Sequence, residues 1–295
     1  MTFSEGGSFE GGRVKSRRGG AVAGGGVGLL AIAAFLVYQF TGVDVSPYLG
    51  AIEGGQSGQT SGQQEGSIGE CTVEQANTDP LCRLSATVQS LDAYWTDTLA
   101  AQGELPLPEV VEFQEATTTA CGSASASTGP FYCPPDQTIY LDLGFFDVLQ
   151  SRFGASDGAL TQMYVTAHEY GHHVQQVTGV MDRADRQGAG ADSDSVRVEL
   201  QADCYAGLWA GDAATREDPD RPGVTFLDPI TEAQLADALS AAEAVGDDHI
   251  QEQSGMGVNQ DSWTHGSSEQ RARWFTTGYS TGDPAACDTF ATDTL

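Results

Sequence analysis

The chain has 295 residues, with 13 Lys+Arg against 41 Asp+Glu and a formal net charge of −28. Such a polyanionic surface repels phosphate instead of displacing its counterions, which excludes a nucleic-acid binder of the usual kind. A hydrophobic content of 40% and an aromatic content of 8% exclude wholesale disorder.

Residues 1–18 hold Arg13, Lys15, Arg17 and Arg18 and read as a basic head. Residues 19–43 carry no charge and are rich in Leu, Ile, Val, Phe and Ala. At roughly 1.5 Å per residue, a helix of that length crosses a hydrocarbon layer of roughly 30 Å. A transmembrane helix is therefore expected, from about Gly20 to Phe40. The basic cluster before it keeps the head in the cytoplasm and sends the rest of the chain to the far face, so a single-pass cell-membrane protein is expected. A cleaved signal peptide, including the twin-arginine type that Arg17-Arg18 suggests, is the alternative. The apolar run exceeds the usual signal core, and no A-x-A-like site closes it.

Residues 44–70 are mostly Gly, Ser, Gln, Thr and Glu, too polar to offset their chain entropy by burial, and are expected to be a flexible tether. Residues 71–295 fall within the range of one compact extracytoplasmic domain. All 6 cysteines lie there, which agrees with an oxidising compartment. Six cysteines allow fifteen pairings. Closeness along the chain favours Cys71–Cys82 and Cys121–Cys133, leaving Cys204–Cys287. A cysteine zinc site lacks any C-x-x-C pair.

Leu84, Val88, Leu91, Trp95 and Leu99 recur at helical spacing and predict a helix over about 82–101. The runs 110–114 and 137–143 are β-rich and predict strands; the second, QTIYLDL, is a candidate sheet edge to which a peptide could add. Leu160, Met163, Tyr164, Ala167, Gly171 and Val174 predict a helix over 159–177, ended by Gly179, and another follows over about 194–211. Thr231 with Gln234 and Ser267 with Gln270 are capping boxes that open two more. The ordering is α+β, mainly helical with a small sheet.

The helix 159–177 contains His168-Glu169-Tyr170-Gly171-His172, the H-E-x-x-H pattern. Imidazoles four residues apart share one helix face and can reach one ion at roughly 2.0–2.1 Å. Glu169 stands beside them, placed to take a proton from metal-bound water without being a ligand. A catalytic zinc needs a third protein ligand, and Glu199 of Glu199-Leu-Gln-Ala-Asp203 suits it. Asp203, on the same face, suits a hydrogen bond to a ligand imidazole; the reverse assignment fits two-shell geometry less well. Ala202, Ala206, Gly207 and Ala210 would let the two helices approach closely. The metzincin extension fails at Gln175 and Thr178, and His173 projects away from its neighbour His172 as a packing residue.

H-E-Y-G-H-H-V-Q, followed by R-V-E-L-Q-A-D-C-Y-A-G-L-W-A, with F-Y-C-P-P-D-Q-T-I-Y-L-D upstream and T-H-G-S-S-E-Q-R-A-R-W-F downstream, resembles the bacterial neutral zinc metallopeptidase family. The basic G-G-R-V-K-S-R-R-G-G head is similar too. The resemblance implies a zincin-type fold of the glutamate-ligand branch, with His168, His172 and Glu199 on zinc and Glu169 as general base.

His265 precedes the last helix and is a candidate catalytic donor to the oxyanion of a tetrahedral intermediate; a structural or capping role is its alternative. Tyr140, Tyr164 and Tyr170 are other candidate donors, and His249 reads as a solvated loop residue. The acidic loop 182–194 (Asp182, Asp185, Asp192, Asp194) lacks EF-hand spacing for Ca²⁺. The expected activity is zinc-dependent hydrolysis of a peptide or protein substrate outside the cytoplasmic membrane. A non-catalytic zinc-stabilised envelope scaffold and a zinc amidase acting on cell-wall material are the alternatives.

Overall fold

The computed structural model describes residues 3–18, 64–114, 116–125, 128–219, 221–255 and 257–295. The expected transmembrane segment, 19–43, and the first part of the expected tether, 44–63, lie outside the described residues. Among the described residues no helix is long and apolar enough to cross a membrane.

In chain order the strands are β1 (Ser8–Phe9), β2 (Lys15–Arg18), β3 (Gln64–Ser67), β4 (Cys71–Thr72), β5 (Glu109–Gln114), β6 (Ala116–Thr119), β7 (Gly122–Ser125), β8 (Phe131–Cys133) and β9 (Thr138–Leu141). Five of them make the main sheet in the order β3-β2-β5-β9-β8, with β2, β5 and β9 parallel and the outer two antiparallel. Val110, Ile139 and Leu141 enter the main core with the helices. Val111, Phe113, Tyr140 and Cys133 face the other way into a smaller cluster with Ala124 of the β6–β7 hairpin. Strands covered on both faces favour apolar runs, which TIYL supplies and EVVEFQ supplies except at the buried Glu112.

Two expectations change here. The strand at 137–143 is not an edge: β9 is paired on both sides, and β8 takes the edge. The head and the end of the tether also belong to the fold. β2 sits between β3 and β5, β1 pairs with β4, and Phe3, Phe9, Val14 and Ile68 are buried in the main core. The boundaries drawn at residues 18 and 70 thus cut through a sheet, because composition reports average polarity while pairing depends on the neighbours a short strand finds.

The helices are α1 (Val73–Thr78), α2 (Pro80–Thr98), α3 (Phe145–Phe153), α4 (Ala159–Val177), α5 (Val180–Arg183), α6 (Asp194–Ala213), α7 (Glu232–Ala244), α8 (Asp247–Ser254) and α9 (Ser268–Thr281). Asp79 caps α2 by accepting from Leu81 and Cys82, with Pro80 at its first position. The capping boxes at Thr231 and Ser267 form as the sequence predicts. The three disulfides are Cys71–Cys82, Cys121–Cys133 and Cys204–Cys287, the pairing that chain closeness favours.

Helix α4 lies at the centre, with residues 160–175 all buried, packed by α2, α6 and α7. Small residues set the spacing around α6. A β-carbon added at Gly171 of α4 would meet Ala202 at 3.2 Å, and one added at Gly207 would fall 2.0 Å from the Phe275 carbonyl of α9. Gly278 is confined reciprocally, 2.0 Å from the Cys204 carbonyl. Glycine is the residue that lets two helix backbones come this close.

Candidate metal centre

His168 and His172, one turn apart on α4, face Glu199 of α6, and their candidate ligand atoms all lie within 4.8 Å of one another. His168 Nε2 is 3.2 Å from Glu199 Oε2, and His172 Nε2 is 3.4 Å from Glu199 Oε1. Ligands at roughly 2.0–2.1 Å around a tetrahedral ion stand about 3.3 Å apart, so these spacings are those of a zinc site with two nitrogens and one oxygen. Among the described residues no other group of three His, Cys, Asp or Glu side chains gathers in this way. That includes Asp182, Asp185, Asp192 and Asp194. Of these, Asp194 instead accepts from the Asp185 backbone and Asp185 from that of Gln187.

The outer nitrogens are held as well. His168 Nδ1 donates to Asp203 Oδ1 at 2.8 Å, and His172 Nδ1 donates to Gln175 Oε1 at 2.9 Å. With Nδ1 so engaged, Nε2 is the nitrogen turned toward Glu199. Asp203 is the outer partner expected from the sequence, and its oxygens are filled: Tyr164 donates to Oδ1 at 2.5 Å, and Arg271 of α9 donates to both oxygens. Gln175 is itself locked, donating to the Val198 carbonyl at 2.8 Å and to Gln201 Oε1 at 3.0 Å.

The electrostatics favour a cation between these groups. Burial alone would raise the Glu199 pKa, but His172 and His168 hold it well below the ordinary glutamate value. Burial likewise opposes charge on His168, yet Asp203 and Glu199 push its pKa up to about 10. Asp203 stays below the ordinary aspartate value in spite of burial because Arg271 and His168 flank it.

Glu169 is 8% exposed and has no hydrogen-bond partner among the described residues. A carboxylate one residue from His168 with no such partner has its acceptor capacity unspent.

His265 stands against the same helix as Glu199: a β-carbon on the next residue, Gly266, would lie 3.2 Å from Val196 and Leu200. Asp247 organises its loop. Asp247 Oδ2 accepts from the backbone N–H of Thr264, His265 and Gly266 at 2.8, 2.7 and 3.0 Å, and Oδ1 accepts from His265 Nδ1 at 3.2 Å. Burial opposes protonation of His265, while Asp247 and Glu199 raise its pKa.

The other candidates have different work. His173 donates through Nε2 to the Pro106 carbonyl and accepts from Tyr132, tying α4 to β8. Tyr140 donates to Asp136 and Tyr170 to Asp92, so of the three tyrosines only Tyr164 belongs to the cluster, as a partner of Asp203. His249 is not in a loop; it lies in α8 and reaches the Phe153 carbonyl. Sequence reasoning passed over Arg271, Asp247 and the role of Gln175. One signal was present: Arg271, Trp274, Phe275 and Gly278 recur at helical spacing on the buried face, and an arginine there requires a buried acid.

The family model described as "Putative neutral zinc metallopeptidase" matches residues 3–290. The chain is 48% identical over 225 residues to the uncharacterized protein Rv2575 of Mycobacterium tuberculosis, covering 76% of this chain and 75% of that one. It is 36% identical over 270 residues to the uncharacterized protein YpfJ of Escherichia coli K12, covering 89% and 86%. No solved structure matches the chain.

Proposed function

The chain belongs to the neutral zinc metallopeptidase family, and we propose that it is a metalloendopeptidase that uses zinc held by His168, His172 and Glu199 to hydrolyse peptide bonds. The observation that carries this reading is Glu169, next in sequence to the ligand candidate His168 on the same buried helix and with no side-chain hydrogen-bond partner among the described residues. A purely structural metal site has no use for such a group.

When bound, the zinc ion supplies a Lewis acid that polarises the scissile carbonyl and acidifies the attacking water. Glu169 accepts the proton of that water and passes it to the leaving amine. His265, with Nδ1 engaged by Asp247, offers Nε2 to the oxygen on which negative charge develops. Asp203 and Gln175 keep the two ligand imidazoles turned toward the ion. Three disulfides support a working place outside the reducing cytoplasm.

Glu169→Gln in the full chain tests the proposal. The variant should bind zinc as the parent does and lose hydrolysis of unstructured casein by roughly 10²–10⁴-fold. Full activity in the variant would remove Glu169 from the mechanism. A zinc-loaded parent that cleaves purified wall fragments but no peptide would favour the amidase reading.

A further inference from the structure

The N-terminal segment is gripped from several directions. Phe3 is wholly buried, its N–H donating to Asn77 Oδ1 at 2.7 Å and its carbonyl accepting from Asn77 Nδ2 at 3.2 Å. Phe3 bridges to Leu227, and Arg221 donates to the carbonyls of Ser4 and Gly6. Arg13 forks onto Asp92 of α2 at 2.6 and 3.0 Å and also reaches the Pro108 carbonyl. Asp92 in turn accepts from Tyr170 of the H-E-Y-G-H motif. Ser16 donates at 2.6 Å to Glu112, a carboxylate 1% exposed with no other partner among the described residues.

We infer that residues 3–18 are a structural part of the domain that carries the metal cluster, so that the N-terminal segment and the metal centre occupy one compartment. Both apolar and polar groups of the domain depend on the segment: without it the core around Phe3, Phe9 and Val14 opens, and Asp92 and Glu112 lose partners. The sheet adds a geometric argument. β2 and β3 are adjacent antiparallel strands, with Arg18 opposite Gln64. Paired strands lie about 4.8 Å apart, whereas a single membrane crossing between them would set them on opposite sides of roughly 30 Å of hydrocarbon. The single crossing expected from the apolar run 19–43 cannot separate head from domain while these strands pair. The inference does not depend on whether the metal cluster is catalytic.

Thiol labelling of the full chain in cells tests it. All six native cysteines are paired, so introduced ones report alone. Glu5→Cys or Glu10→Cys marks the head and Glu232→Cys the start of α7, all at exposed positions. With a membrane-impermeant maleimide on spheroplasts, head and domain thiols should react alike, both before lysis or both only after it. Labelling of one before lysis and of the other only after it would overturn the inference. A second measurement uses a specific protease site inserted after Gly58 of the purified chain. The N-terminal fragment should co-elute with the domain after cleavage and separate only in denaturant; separation under native conditions would overturn the inference.

Discussion

Arg271 and Asp203, 68 residues apart, meet as a two-pronged ion pair at 2.9 and 3.0 Å, with side chains only 4% and 0% exposed. The pair explains why Asp203 serves as the outer partner of His168 and not as a ligand: its oxygens are filled by Arg271, Tyr164 and His168. Its location couples α9, which carries no ligand, to the orientation of one that does.

Arg271→Met should therefore be costly twice over. A buried acid left without its cation destabilises by about 3–5 kcal/mol, and an Asp203 no longer held by Arg271 should orient His168 less firmly and weaken metal binding, by less than the about 10–100-fold expected for losing Asp203 itself. Urea unfolding of the metal-free chain and zinc titration of the folded chain read the two effects separately. Unchanged values in both would show that the pair is dispensable.

Zinc should stabilise the folded chain, by about 2.7 kcal/mol when free zinc is 100 times the dissociation constant. Glu199→Ala should abolish most of that gain because a third of the ligand set is gone. Thermal melts with and without zinc and chelator check this; an equal gain in the variant would place the metal elsewhere.

The Asp247–His265 pair predicts a pH signature in the chelated chain. Asp247 sits below the ordinary aspartate value, with burial opposing and His265 and backbone N–H groups prevailing, so its stabilisation fades as pH falls through that lowered value. His265 sits above the ordinary histidine value, so its share is complete below about pH 6.5 and fades as pH rises through the raised value. The stability lost in His265→Gln should be largest near pH 5.5 and smaller at pH 9, by urea denaturation at each pH. A loss that grows toward pH 9 would contradict the pairing.

Gly278→Ala should destabilise by about 1–3 kcal/mol or more, since the new methyl would fall 2.0 Å from the Cys204 carbonyl and push α9 from α6. Gly69→Ala, at an exposed position outside the positive-φ region with no atom within 4 Å, provides the control without crowding. Equal melting temperatures for Gly278→Ala and the parent would refute the close seam.

The ligands were legible because helical periodicity fixes which side chains share a face within one segment; His168 with His172 and Glu199 with Asp203 are such pairs. The capping boxes at Thr231 and Ser267 were legible for the same local reason. Arg271 and Asp247 act across 68 and 18 residues, distances over which no periodicity speaks. β2, with the sequence KSRR, has no apolar alternation at all; it is a strand because β3 and β5 flank it. β9 read as an edge because its own residues do not reveal that β8 lies outside it.

The glycine seam has a consequence for which ions the cage admits. Where Gly171 of α4 meets Ala202 of α6 no long side chain separates the two helices, which keeps Glu199, one turn before Ala202, close to α4. An ion with short bonds, roughly 2.0–2.1 Å, slots into that aperture. Calcium, preferring roughly 2.3–2.6 Å and six or more oxygens, suits two imidazoles and one carboxylate held at that spacing poorly.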